Sequence, residues 1–311
     1  MTDRKYKRAL VTGGAGFIGS HICGKLLEEG LEVVVIDNLS MGKRENVPSG
    51  AKLIVGDIQD DSLIQKTFRE GIDVVFHEAA IVAIRSSINN FYNDAMTNVM
   101  GTLNILRAAL QHKVKKLMYA SSMAVYADNL NYTPIPESYV TAPIAPYGIS
   151  KLSSEQYLKN ASENNELDIV CLRYFNTYGE NQTLTPYVGV ITIFVNKLLK
   201  GEPPVIFGSG NQKRDFIYVK DIVQANIKAM YSDVHFGIYN VGTGIAHSVN
   251  DVANMLCNAI NPKIKPVYAD AVPGELQYSI ADLSLAQKHL GYAPEYKLEE
   301  NIHCVIDQYS K

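Results

Sequence analysis

The chain has 311 residues, 47% hydrophobic and 20% charged, which excludes a mainly disordered polymer and suits one large α/β unit or two modest domains. A formal net charge of -3 leaves no basic footprint, so nucleic acid is not an expected partner. Residues 1–8 carry Arg4, Lys5, Lys7 and Arg8 and then enter Ala9-Leu10-Val11-Thr12-Gly13. That apolar run is too short for a signal-peptide core or a membrane span, so a cytoplasmic protein without membrane association is expected.

Strand and helix patterns alternate along the first half. A strand is predicted over residues 8–12. A helix follows over 17–29, with Ile18, Ile22, Leu26 and Leu27 at helical spacing. The β-branched run 33–37 reads as a strand buried on both faces. Further strands are predicted over 52–55, 73–77, 116–121 and 169–173, with helices over 61–69, 95–111 and 147–162 between them. This alternation predicts an α/β fold with a doubly wound (Rossmann) parallel sheet. From Asn176 the rhythm breaks, with Gly201-Glu202-Pro203-Pro204 and Gly208-Ser209-Gly210 marking loops. The expected division is 1–175 for the main sheet and 176–311 for a smaller α/β substrate domain over its carboxyl ends. A strand over 237–241 is expected to return to the main sheet.

Cys23, Cys171, Cys257 and Cys304 are widely scattered, with no CxxC pair and no zinc-like spacing, and the seven histidines are equally dispersed. No metal is expected. The cysteines read as buried thiols of a reducing compartment.

Between the first strand and first helix, Gly13, Gly16 and Gly19 form a G-x-x-G-x-x-G loop. Glycine there permits a tight turn and close approach of backbone N–H groups to a pyrophosphate, which the helix N-terminus also attracts. A plain turn is the competing reading, and the strand–loop–helix context weighs against it. So does Asp37 at the end of the second strand, placed to accept from ribose hydroxyls and to repel a ribose phosphate. NAD is therefore the expected cofactor. Lys43 and Arg44 follow closely and read as solvated loop charges rather than a phosphate site. Asp57 either meets the adenine edge or is an ordinary strand-end aspartate.

Tyr147 and Lys151 lie four residues apart at the start of a predicted helix, on one face. An ammonium beside a phenol, with a cationic nicotinamide close by, would lower the tyrosine pKa and let it take a proton from an alcohol as hydride leaves. By itself such spacing is a common accident; behind a nucleotide loop in an alternating sheet it is not.

Four segments in order now carry a resemblance: the run 12–19, Tyr119-Ala120-Ser121-Ser122-Met123-Ala124-Val125-Tyr126, Tyr147 with Lys151, and Arg173-Tyr174-Phe175-Asn176-Thr177-Tyr178-Gly179. Together they resemble the extended short-chain dehydrogenases, and most closely the UDP-sugar 4-epimerases, along essentially the whole chain. The resemblance implies a catalytic set of Ser122, Tyr147 and Lys151. It implies cofactor contacts from Gly13, Gly16, Phe17, Ile18, Gly19, Asp37, Asn38, Asp57, Ile58, Ala79, Ala80 and Asn98 as well as Tyr147 and Lys151. For a UDP-sugar it implies contacts from Ser122, Asn176, Arg214, Glu275 and Ser279. Without the family, Arg214 would read as a surface charge.

Two positions help to choose the reaction. Related dehydratases carry Asp-Glu after the serine, and related decarboxylases carry Glu in the second place, whereas here Met123 and Ala124 stand and can move no proton. That leaves reversible oxidation at C4 of UDP-hexoses or UDP-N-acetylhexosamines. The alternatives are an NAD-linked nucleotide-sugar oxidoreductase or dehydratase, and a catalytically silent NAD-binding sensor, which the intact Ser122, Tyr147 and Lys151 disfavour. Val272 replaces an arginine common in the family, and Ile81 and Ala83 replace polar residues, though Ser87 keeps one. Apolar Met96, Met100, Leu103 and Leu152 exceed a single core stripe. Their family counterparts build a dimer, so a homodimer is expected, with extra core burial as the alternative.

Overall fold

A computed structural model describes residues 5–82, 88–129, 131–184, 189–271 and 276–310. Six parallel strands open the chain: β1 (Arg8–Thr12), β2 (Glu32–Asp37), β3 (Lys52–Val55), β4 (Val74–His77), β5 (Lys116–Ser122) and β6 (Asp168–Tyr174). The predicted strands match these to within a residue at each end. In β2, Val33 and Val35 enter the core on one face of the sheet, while Val34 and Ile36 enter the core on the other. A period-two run buried on both sides is what a central parallel strand requires.

Helices cover both faces. Phe17–Glu28 and Val219–Tyr231 pack on the side of Val33 and Val35. Asp61–Phe68, Thr102–Gln111 and Pro146–Asn164 pack on the side of Val34 and Ile36. The last begins with proline in its first turn, where the missing N–H removes no helical bond.

The helix expected over 95–111 differs in detail. It runs from Phe91 through Ala95, a π-helical turn Met96–Gly101 and then Thr102–Gln111. The Asn98 carbonyl accepts from Thr102 Oγ1 at 2.6 Å and from Ser154 Oγ at 3.0 Å. Side-chain hydroxyls on a helical carbonyl displace the regular ladder, and such a turn often marks a functional position.

Beyond β6, short strands β7 (Asn176–Tyr178), β8 (Val205–Phe207), β9 (Lys213–Arg214) and β10 (Phe216–Tyr218) form small separate sheets with later segments. Strand β11 (Phe236–Val241) then pairs in parallel with β6, giving the seven-strand order β11-β6-β5-β4-β1-β2-β3. Strand β12 (His247–Ser248) pairs with β9, β13 (Val267–Ala269) with β8, and β14 (Tyr278–Ser279) with β9. A third apolar cluster joins the helices Val190–Leu199, Val249–Ile260 and the C-terminal segment, independently of the two sheet cores.

Cys23, Cys171 and Cys257 are buried, as expected, but Cys304 is partly exposed on a C-terminal helix, its Sγ 3.7 Å from His303 Nε2. Leu103 and Leu152 turn out to pack partly buried against the sheet cores, while Met100 is exposed.

Candidate active site

The residues singled out in the first half gather at the carboxyl ends of β1 to β6. Gly13 leaves β1 with φ of 69°, and a Cβ on it would stand 2.8 Å from the Ala79 backbone nitrogen. A side chain at Gly19 would lie 2.3 Å from the Gly13 carbonyl. Both positions therefore need glycine: the first for its left-handed backbone, the second to let the helix begin directly against the turn. The helix Phe17–Glu28 starts at Gly16 without a side-chain cap. Its first N–H groups thus need an acceptor, and an anion such as a pyrophosphate suits both those donors and the helix dipole.

Asp37, nearly buried at the end of β2, accepts from Ala15 N at 3.0 Å through one oxygen and from Leu39 N at 2.8 Å through the other. It thereby ties the glycine loop to the second strand. A carboxylate offers about four acceptor positions, so capacity remains for ribose hydroxyls. Asn38 donates to Asp57 at 2.8 Å, which also accepts from Gln59 N. Ile58 is buried and crowds Gly101 of the π-helical turn. Ala79 N donates to Thr12 Oγ1, and Ala80 follows it at the end of β4. Asn98 grips the next residue, accepting from Ile81 N at 2.8 Å and donating to Ile81 O at 3.1 Å. A row of backbone and carboxylate groups thus runs across four strand ends, and it fits a dinucleotide such as NAD.

Ser122 ends β5, and its Oγ accepts from Ala124 N at 3.1 Å, capping a one-turn 3-10 helix, Met123–Val125. Tyr147 and Lys151 face it from the first two turns of Pro146–Asn164, both buried. Lys151 Nζ donates to the Ala120 carbonyl at 2.7 Å and lies 4.8 Å from the Tyr119 ring centroid. Burial pushes the Tyr147 phenol up to about 12; a hydrogen bond with Ser122 opposes this, and the charges of Asp94 and Glu78 add to it. Burial pulls the Lys151 ammonium down to about 8, against the attraction of Glu78, Asp94 and Glu155. The lowered tyrosine pKa is expected with a cationic nicotinamide close by; in the protein alone, desolvation of the phenolate dominates. A cationic ring beside the pair would act in the opposite sense.

The nucleotide-sugar candidates come from the second half. Asn176 opens β7, its backbone N donating to Asp215 O, while its buried side-chain Nδ2 finds no partner among the described residues. Arg214 and Ser279 are register partners across β9 and β14. Ser279 is 0% exposed, and its Oγ also lacks a partner among the described residues. Asp215 locks the three together: its N donates to Ser279 O, and its carboxylate accepts from Thr243 N, Thr243 Oγ1, Gly244 N and Ala281 N. Glu275, Val272, Ala83 and Ser87 lie outside the described residues.

Several groups were not anticipated. Glu78 is pushed up to about 7 by burial, with a hydrogen bond from Tyr174 OH at 3.0 Å and the Lys151 charge acting the other way. Asp94 is buried and accepts from Asn98 at 2.9 Å. Glu155 and Arg173 form a buried ion pair behind Ser122. Glu155 had one sequence signal, its place four residues after Lys151, and Asp94 had a similar one, its place four residues before Asn98. Glu78 had none, because its neighbours Tyr174 and Lys151 come from another strand and a helix.

A parallel sheet of this order, with a glycine loop at its first strand end and a Ser–Tyr–Lys set at its fifth, defines a dinucleotide-dependent enzyme fold. The profile of the NAD dependent epimerase/dehydratase family matches residues 9–242, and the chain belongs to that family. A putative UDP-glucose 4-epimerase of Methanocaldococcus jannaschii is 39% identical over 298 residues, covering 96% of this chain and 97% of the relative. The structure of the Thermotoga maritima UDP-glucose 4-epimerase with UDP-glucose superposes with a TM-score of 0.94 at 37% identity, covering 97% of this chain and 98% of that one. The Methanobrevibacter ruminantium UDP-N-acetylglucosamine 4-epimerase, in complex with UDP-N-acetylmuramic acid, gives 0.93 at 36% identity, covering 98% and 99%.

Proposed function

We propose that this chain is an NAD-dependent 4-epimerase of UDP-hexoses or UDP-N-acetylhexosamines, working through a transient 4-keto sugar. The observation that carries the reading is the meeting of Ser122, Tyr147 and Lys151 at one strand end, with Met123 and Ala124 beside them. The first three can handle the proton of a sugar hydroxyl. The last two can supply neither acid nor base for eliminating water or carbon dioxide.

NAD bound across the strand ends supplies a hydride acceptor and donor. Gly13, Gly16, Phe17, Ile18 and Gly19 hold its pyrophosphate, Asp37 and Asn38 its ribose, and Asp57 and Ile58 its adenine side. Ala79, Ala80 and Asn98 continue the row toward the catalytic group. Ser122 hydrogen-bonds the sugar 4-hydroxyl and aligns it. Tyr147 takes the hydroxyl proton and later returns one. Lys151 stabilises the phenolate by its charge. Asn176, Arg214, Glu275 and Ser279 hold the nucleotide sugar, Arg214 by charge-assisted hydrogen bonds to the diphosphate. Residues 1–175, with the strand Phe236–Val241, serve the cofactor, and 176–311 serve the sugar nucleotide.

Purified protein incubated separately with UDP-glucose and UDP-GlcNAc, with products identified by NMR, tests this. The expected products are the respective 4-epimers, without added NAD if the cofactor is retained. Recovery of both sugars unchanged overturns the proposal.

We further propose a homodimer in the cytoplasm. Phe91, Tyr92, Met100, Ile149 and Tyr157 are exposed on the neighbouring helices Phe91–Gln111 and Pro146–Asn164, the pair expected to pair with a second copy. Light scattering at micromolar concentration should return twice the 34.4 kDa chain mass. The free cysteines suit a reducing compartment.

A further inference from the structure

Helix Pro146–Asn164 presents Tyr147, Lys151 and Glu155 at successive four-residue steps, hence along one face. Glu155 is 0% exposed and Arg173 3%. Arg173 Nε donates to Glu155 Oε1 at 2.9 Å and Nη2 to Oε2 at 2.6 Å, a bidentate pair. Ser121 Oγ donates to the same Oε1 at 2.5 Å. Ser121 and Arg173 are themselves register partners across β5 and β6, one residue behind Ser122 and Tyr174. Glu155 therefore spans two adjacent strands just below the site and one helical turn beyond Lys151. Arg173 is fixed in turn: its guanidinium stacks 4.7 Å from the Tyr126 ring centroid, and Tyr126 OH donates to Asn240 Oδ1 at 2.7 Å on β11.

Taking two charges fully out of water is expensive, and well-packed apolar replacements of buried ion pairs are often neutral or stabilising. Stability alone is a weak reason for this pair. Its geometry gives a stronger one, because a forked pair sets direction and height where an apolar contact allows sliding.

We infer that Glu155 and Arg173 are positioning residues: their pair fixes the helix carrying Tyr147 and Lys151 at one height against Ser122. The inference rests on the catalytic reading above. Glu155 also contributes negative charge that favours the protonated form of Lys151.

The test measures kcat, KM and Tm for wild type, the double variant Glu155→Leu/Arg173→Met, and Arg173→Lys. Wild-type turnover separates this inference from the proposed reaction, since a wild type inert on UDP-sugars refutes the reaction itself. For the double variant the expected result is a Tm close to wild type with kcat down roughly 10-fold or more and KM little changed, as misplacement of reacting groups produces. Wild-type kcat together with a recovered Tm would overturn the inference. Should the double variant fail to fold, Arg173→Lys decides: it keeps the charge but not the fork, so kcat should fall about 5-fold or more at nearly unchanged Tm. Full kcat in Arg173→Lys would likewise overturn it.

Discussion

Lys151 Nζ donates to the Ala120 carbonyl at 2.7 Å and stands 5.9 Å from the centroid of the Tyr147 ring, so the strand that ends in Ser122 holds the lysine beside the tyrosine. Strand and helix thus share one anchor beside Ser122 and Tyr147. The consequences can be measured.

Replacing Tyr147 with Phe removes one hydroxyl from a buried ring. The variant should keep NAD bound and lose nearly all turnover. Ser122→Ala should lose roughly 10²-fold, the usual worth of a positioned proton-transfer partner. Steady-state kinetics with absorbance of the bound cofactor check both, and wild-type turnover in Tyr147→Phe would refute the assignment.

Products should be 4-epimers alone, because Met123 and Ala124 carry no proton to move. Mass spectra should show no sugar nucleotide one water lighter than substrate and no loss of carbon dioxide. A 6-deoxy-4-keto product would shift the reading to dehydration.

The resemblance implies that Ser279, four residues past Glu275, lines the space for the C2 substituent of the sugar, the alternative being a strand serine satisfied by backbone. It is wholly buried, and its Oγ has no partner among the described residues. Forcing extra atoms into a filled pocket costs about 1–3 kcal/mol, so Ser279→Tyr should lower turnover of UDP-GlcNAc about 5- to 150-fold. Turnover of UDP-glucose should be spared, which guards against simple misfolding. Equal loss on both sugars, or a wild type blind to UDP-GlcNAc, would remove Ser279 from this role.

His77 predicts how stability depends on pH. It lies between Thr12 Oγ1 at 2.7 Å and Thr102 Oγ1 at 2.9 Å, and burial, with the Lys151 charge, pulls it down to about 3. Between its unfolded value of about 6.5 and that folded value the unfolded chain binds the extra proton, so stability falls as pH drops. Its contribution is fully present above about pH 6.5, and a few kcal/mol are lost by pH 3. Thermal melts of wild type and His77→Gln should therefore converge as pH is lowered from 7 to 4. A Tm gap constant over that range would contradict the argument.

The seven sheet strands were legible in the sequence because each is set by a short run of apolar or β-branched residues between breakers. The glycine loop and the Tyr147–Lys151 pair were legible for a related reason. Backbone turns and helical faces are fixed by residues within one or two turns of each other, and spacing alone reveals them. The π-helical turn at Met96–Gly101 was not: its Asn98 carbonyl is shared by Thr102 and by the Ser154 hydroxyl of another helix, a contact that local spacing does not reveal. Nor was the pairing of Glu155 with Arg173 and Ser121, which stand 18 and 34 residues away along the chain. The titration of the site was decided last. The four-residue spacing correctly places an ammonium near a phenol, but whether that phenol titrates low or high depends on how much water the folded chain excludes. Burial wins for Tyr147, and only packing of the sheet against its helices sets that balance.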